Sequence, residues 1–180
     1  MREASFDEAN RRMSRPQRVL LAVSVDSEGK ADIIPLGWHM QTSFDPWMVA
    51  ISVGHSRHSH TLISEAKEFV LAAPSEEMAD DVLYCGTHSG RNVDKFAETG
   101  LTPAPAKLVK PPLIAECIAN PECVLKYALE TGDHTIFVGE VVAAHVSNEP
   151  KRNLLSIGPE AGYKYLGGNE RYKFGVVRDD

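Results

Sequence analysis

Within the seven residues GHSRHSH, Gly54 to His60, the chain carries three of its seven histidines, two serines and an arginine. Metal ligation, acid–base catalysis and anion capture all draw on that mixture. Zinc requires three or four nitrogen, sulfur or carboxylate ligands at fixed geometry. On a strand His58 and His60 share a face and His55 does not, and Arg57 between them repels a cation. No H-E-x-x-H or paired C-x2-C motif is present, so no metal site is expected. A histidine acid–base pair lacks a partner nearby in sequence. Anion capture fits better. The segment stands between the apolar run WMVAISV, Trp47 to Val53, and a helical pattern. Free N–H groups at a helix N-terminus attract phosphate. Arg57 can grip a phosphate with two hydrogen bonds, and Ser56 and Ser59 carry hydroxyl donors. A capped helix with a solvated polar turn explains the same residues, and on this segment alone it is the more ordinary reading.

Three other segments carry polar groups in suggestive settings. THSGRNVDKF, Thr87 to Phe96, sets a glycine turn and Arg91 before a short helix, with Lys95 one turn on; a capping loop and a ligand-binding loop suit it equally. TGDHTIFVGEV holds the pair Asp133-His134, which reads as an acid–base pair or as an ordinary hairpin turn. In LGWHMQTS, Gly37 permits close backbone approach to a flat ligand, and Trp38 and Met40 suit ring contacts or core packing. Cys85, Cys117 and Cys123 are not spaced as a redox pair and read as buried, inert thiols. Cys117 and Cys123 flank Asn120-Pro121, where a bend between two extended segments is expected.

Strands must position these groups. VLLAVSV (Val19 to Val25), ADIIPLGWHM and WMVAISV are strand-like and suggest an antiparallel meander, with Pro35 marking an edge or a bulge. HTLISEAKEF changes to helical spacing through Leu62, Ile63, Ala66 and Phe69. EFVLAAP returns to strand character and stops at Pro74. SEEMADDVLYCG predicts a helix capped by Ser75 that buries Met78, Val82 and Cys85. NVDKFAETG predicts a helix capped by Asn92 and ended by Gly100. The proline-rich TPAPAKLVKPP must run extended over the surface, as a crossing within one domain. LIAECIANPECVLKYALE and HTIFVGEVVAAHV form a hairpin closed at Thr131 to His134. GYKYLGG and RYKFGVV end the chain as aromatic, glycine-rich segments. Strands and helices do not alternate regularly, so a mainly β barrel with short inserted helices is expected over a parallel α/β sheet.

Composition narrows the function classes. The chain has 180 residues, 43% hydrophobic and 24% charged, with net charge −6. That suits a single domain over residues 1–180. No long basic run points to nucleic acid, and no apolar stretch approaches the ~20 residues that span a bilayer. The N-terminus has no apolar core of a signal peptide, and three cysteines make no secreted disulfide framework, so a cytoplasmic location is expected. The absence of G-x-G-x-x-G excludes a Rossmann nicotinamide site.

In order, LGWHMQTSFDPWMVAISVGHSRHSHTLI, EFVLAAP, SGRNVDKFAETGL, PPLIAECIANPECVL and GDHTIFVGEVV resemble the flavin reductase-like family, in its flavoredoxin type. The likeness covers roughly Ile33 to Val146. It implies a split β-barrel that binds FMN without a covalent bond, usually at a homodimer interface. By that likeness Trp38, His39, Met40, Gln41 and Thr42 line the isoalloxazine, and Ser52, Val53 and Gly54 follow the ribityl chain. Arg57 and Ser59 hold the phosphate, and His58 and His60 stand where the family often has aromatic residues. Ser89, Gly90 and Lys95 close the site, and His134 approaches the flavin edge as the catalytic candidate. The resemblance implies an oxidoreductase that passes electrons from NAD(P)H, or from a redox protein partner, through flavin to an acceptor. An FMN-binding relay without its own NAD(P)H oxidation is the alternative.

Overall fold

The apolar runs around Leu21 and Phe69 are continuous because both become strands buried on two faces. The computed structural model describes residues 1–158 and 162–178. The chain runs through α1 (Phe6–Met13), β1 (Gln17–Arg18), β2 (Leu20–Val25), β3 (Ala31–Leu36), β4 (His39–Phe44) and β5 (Trp47–Gly54). Then come α2 (His58–Ala66), β6 (Glu68–Ala72), a 3-10 turn (Glu76–Met78), α3 (Ala79–Thr87) and α4 (Lys95–Thr99). The short strands β7 (Pro103–Ala104) and β8 (Leu113–Ile114) precede the long hairpin of β9 (Ala119–Thr131) and β10 (His134–Val146). Strands β11 (Leu155–Ser156), β12 (Tyr163–Gly168) and β13 (Lys173–Val177) complete the order.

Seven strands form one antiparallel sheet in the order β3-β2-β6-β9-β10-β5-β4. Leu36 at one end of that order shares a core with Val49, Ile51 and Val53 near the other, around Phe69 and Phe137. The sheet therefore curls round this cluster. Its edge strands, β3 and β4, follow each other in the chain but do not pair, which leaves the barrel split. Alternation along the central strands explains their runs. Leu21, Val23, Val70 and Ala72 face a second core with α3, α4 and the crossover, while Ala22, Phe69 and Leu71 face the first. Gly139 sits at a register shift of β10, where a Cβ would lie 2.7 Å from the Phe69 ring. Only glycine lets that ring fill the barrel interior. A smaller sheet, β1-β11-β13-β12, covers one end. The fold is mainly β with short helices inserted, as the sequence implies.

Several local expectations are corrected. The first three strand-like segments make no meander, because ADIIPLGWHM breaks at Gly37-Trp38 into β3 and β4 on opposite sheet edges. Pro35 does lie on an edge strand. Phe69 belongs to β6, since Lys67 turns left-handed (φ 58°) and ends α2. Ser75 precedes the 3-10 turn and makes no capping bond, so α3 starts only at Ala79; Met78, Val82 and Cys85 are buried as expected. Asp94, not Asn92, caps α4 through Ala97 N–H, and Gly100 (φ 74°) ends it. Asn120-Pro121 lies inside β9, paired with His145 and Ala144, and the bend falls earlier, at residues 115–118.

The crossover expected to lie on the surface is anchored from beneath. Glu122 of β9 is fully buried. Its carboxylate accepts from the backbone N–H of Lys107 (2.8 Å), Leu108 (2.6 Å) and Val109 (3.1 Å), and His145 Nε2 lies 2.6 Å away. Burial pushes this carboxyl up, but the amide and imidazole partners outweigh it and hold the pKa below the usual carboxylate range.

Candidate functional site

A cavity of about 390 Å³ opens where β3, the start of α2 and the end of α3 meet the small sheet. That is within the range of small-molecule sites. Among the expected site residues it gathers Arg57, Ser59, Ser89, Gly90 and Lys95. Arg15, Arg57, Arg91 and Lys95 on its wall face a single carboxylate, Asp32. In a chain of net charge −6 this is a local positive basin.

Asp32 organises that wall. It lies on edge strand β3, 2% exposed. The Lys95 ammonium, 3% exposed, is 2.8 Å from Asp32 Oδ1 and donates to the Ile33 carbonyl at 2.5 Å. Ser59 Oγ donates to Asp32 Oδ2 at 2.6 Å. Gly90 packs so closely that a Cβ there would fall 2.3 Å from the carboxylate. Lys95 and the Ser59 hydroxyl are thus committed to Asp32. What Ser59 offers an anion is its backbone N–H, one of those a helix leaves unpaired in its first turn. Arg57, the exposed N-cap residue of α2, makes no capping bond with its side chain. His58, also on the wall, has a buried ring Nδ1 with no hydrogen-bond partner among the described residues. Unpaired arginine, free amides and an orphaned ring nitrogen around one void suit a polar, anionic ligand.

Of the other expected residues, Trp38, Met40, Gly54 and His134 share a second surface, whereas His39, Gln41 and Val53 belong to the opposite face of their strands. Trp38 is 53% exposed and Met40 61%. The Trp38 and His134 rings lie 4.9 Å apart between centroids. His134 is the register partner of Gly54, and a Cβ on Gly54 would sit 3.4 Å from its Nε2. His134 Nδ1 stands 2.7 Å from Asp133 Oδ1, and this bond lowers the Asp133 pKa. His39 Nε2 is 3.1 Å from the Arg18 carbonyl, which leaves its ring turned to the small sheet. Gln41 and Thr42 are exposed on β4, and Ser52 is half-buried on β5. Val53 points into the barrel core, so it offers an outside ligand only backbone. Gly37 lines the cavity and Trp38 follows it directly, so the two surfaces adjoin.

His55 and His60 have a structural role. His55 Nε2 (3.1 Å) and His60 Nε2 (2.8 Å) both meet Thr135 Oγ1. No cluster of three potential metal ligands occurs among the described residues. Burial, then the neighbouring His55, depresses the His60 pKa against the pull of Glu130. An NMR pH titration is therefore expected to place the His60 midpoint below the ~6.5 of a free imidazole. Sequence reading missed Asp32. The only signal was one acid in an otherwise apolar strand, because its partners lie 27 and 63 residues away.

A flavin reductase like domain matches residues 12–164 of the chain. This chain belongs to the flavin reductase-like family. An uncharacterized Archaeoglobus fulgidus member is 42% identical over 152 residues, covering 84% of this chain and 82% of that one. Among solved structures, a flavoredoxin from Methanosarcina acetivorans aligns with a TM-score of 0.76 and 28% identity, over 92% of this chain and 87% of its own. An FMN-binding protein from Thermus thermophilus aligns with a TM-score of 0.71 and 26% identity, over 80% and 83%. The family match spans the Trp38–His134 surface and all of the cavity wall but Tyr172 and Phe174.

Proposed function

We propose that this protein is an FMN-binding oxidoreductase of the flavin reductase or flavoredoxin type, passing electrons from NAD(P)H or a protein donor to an acceptor. The observation that carries it is the junction of a cation-lined cavity with an exposed surface bearing Trp38 and His134. An anionic tail and a flat ring need those two settings side by side. Bound FMN supplies hydride and single-electron chemistry.

The chain's residues do the rest. Arg57 and the first-turn amides of α2 hold the phosphate. Asp32, fixed by Lys95, holds Ser59 and the Gly90 turn and so keeps the cradle open, with Ser89 at its rim. Backbone at Ser52, Val53 and Gly54 runs beside the ribityl chain. Trp38 and Met40 border the ring with their side chains, and His39, Gln41 and Thr42 with the backbone of β4. Asp133 accepts from His134 Nδ1, which leaves Nε2 to hold or pass a proton at the ring edge.

A homodimer completes this reading. On the outer sheet face Tyr127, Val138, Ala50 and Met40 stand in one row, and Leu129, Ile136 and Ser52 in the next. Tyr127, Leu129, Met40 and Trp38 are exposed there, an apolar surface suited to a second copy. The three unpaired cysteines suit a reducing cytoplasm.

The purified protein is expected to be yellow, or to become so with FMN. Anaerobic stopped-flow mixing with NADH and NADPH is expected to bleach the flavin at a catalytic rate. A protein that stays colourless with excess FMN sinks the proposal. The exposed aromatic surface also favours an electron relay for a redox protein partner, and the relay reading predicts no bleaching by either nucleotide. Arg57→Ala is expected to weaken FMN binding by about 1.5–3 kcal/mol, the range for hydrogen bonds to charged groups; fluorescence titration measures it.

A further inference from the structure

His55 and His60 share one hydroxyl. Their Nε2 atoms meet Thr135 Oγ1 at 3.1 Å and 2.8 Å, and their ring centroids lie 5.1 Å apart. Thr135 is buried on β10, and its hydroxyl has a single hydrogen. With both rings neutral, that hydroxyl donates to one Nε2 and accepts an N–H from the other. A first proton can enter at Nδ1 of the ring that already donates, and no hydrogen bond is lost. A second must enter at the Nε2 that accepts from Thr135. It displaces that bond and sets two like charges side by side. The arrangement therefore takes one proton and resists a second.

The two rings are not equivalent. His55 is exposed, whereas His60 is half-buried with its ring 5.2 Å from that of Phe137. Burial, then His55, disfavours charge on His60 against the pull of Glu130. The proton belongs on His55. Two carboxylates stand near this pair. Asp133, paired with His134, lies within the field of His55, and its carbonyl accepts from the His55 N–H at 3.0 Å. Glu130 is the register partner of Thr135. Arg57 opens α2, and His58 and Glu65 lie on it. Of the strands packed on α2, β2 and β5 carry no titratable side chain. Asp32 of β3 is committed to Lys95 and Ser59, and Glu68 of β6 accepts from Lys110 N–H.

The pair brackets the anion cradle. Arg57 N–H bonds the Gly54 carbonyl at 3.0 Å, which folds residues 54–57 into a turn, and His60 N–H bonds the Arg57 carbonyl at 3.1 Å. Ser56, Arg57, His58 and Ser59, all on the cavity wall, are held between the two rings. We propose that His55, bridged to His60 through Thr135, takes up a proton from solvent when a phosphate group binds at the start of α2, so that the cradle gains its last positive charge only when it is filled. The inference rests on the flavin reading above, with the FMN phosphate as the anion.

Calorimetry of FMN binding at pH 7, in buffers of different ionisation enthalpy, tests this. A dianion that raises tenfold the proton affinity of an imidazole with midpoint ~6.5 draws in about half a proton at pH 7, and that uptake is expected per FMN. A phosphate monoester is already mostly dianionic there and releases little proton of its own. Riboflavin, which lacks the phosphate, is expected to bind with no uptake. In NMR spectra, FMN is expected to move the His55 ring signals toward their protonated position and to leave those of His60 neutral. His55→Gln is expected to abolish the uptake and to weaken FMN about fivefold at pH 6.5, the reciprocal of the same coupling. Its riboflavin affinity is expected to be unchanged, which reports an intact fold. No uptake with FMN, equal uptake with riboflavin, or uptake that survives His55→Gln overturns the inference and leaves the flavin reading standing. If neither flavin binds, the flavin reading fails, and inorganic phosphate decides this site by itself. His55 signals that move on its addition uphold the coupling, and signals that stay in place overturn it.

Discussion

Glu122→Ala is expected to lower stability by about 3–5 kcal/mol, the cost of breaking a buried charged cluster by removing one partner. The carboxylate is fully buried, and three backbone N–H groups of the crossover converge on it. Alanine leaves those donors without an acceptor, each at about 1–3 kcal/mol if it stays buried. Partial rehydration of the exposed Leu108 segment moderates the sum. Glu122→Gln keeps one acceptor oxygen and is expected to lose less. Urea unfolding measures both, and a loss under about 1 kcal/mol for alanine would mean that the crossover does not depend on this anchor. The same group sets an acid limit. Its pKa is lowered in the folded state, so its contribution is complete above the ordinary glutamate value. The contribution is lost as pH falls through the depressed folded value. The unfolding midpoint of the wild type is expected to drop across that acid window more steeply than that of Glu122→Gln.

Asp32→Ala is the second large effect, again about 3–5 kcal/mol for an unpaired buried charge. The change strands the Lys95 ammonium, 3% exposed, with only the Ile33 carbonyl, and removes the acceptor of Ser59. Flavin affinity is expected to fall as well, because Ser59 and Gly90 both lean on this carboxylate. Combining Asp32→Ala with Lys95→Met removes the stranded charge and is expected to recover much of the stability. A double-mutant cycle in urea gives the coupling, and purely additive losses would show that the two side chains do not act as a pair. Flavin affinity in the double variant then separates a general loss of folding from a loss of the cradle itself.

Sequence patterns carried the strands well where burial is simple. The runs at residues 20–23 and 69–72 are apolar throughout because each faces two cores, and no polar alternation blurs them. The GHSRHSH segment was legible as a turn between strand and helix for the same reason. The break of ADIIPLGWHM was not legible, since both halves are strand-like and only Gly37 marks the corner. Asp32 and Glu122 were invisible as anchors because their partners come from distant parts of the chain, and sequence spacing says nothing about such meetings. Lys95 was expected to face a ligand; its charge is spent on Asp32, a choice fixed by three-dimensional packing.

The walls of the cavity come from both sheets: Asp32, Ile34 and Leu36 from the large one, Gln17, Ser156 and Phe174 from the small one. Any molecule seated there touches both sheets, at the edge of the core they share around Phe174 and Leu154. Occupancy thus acts as a staple across a seam. At a free ligand concentration 100 times Kd it adds about 2.7 kcal/mol against unfolding. Cofactor supply and the persistence of the small C-terminal sheet are in this way one equilibrium, and the empty protein is the form in which that sheet is most easily lost.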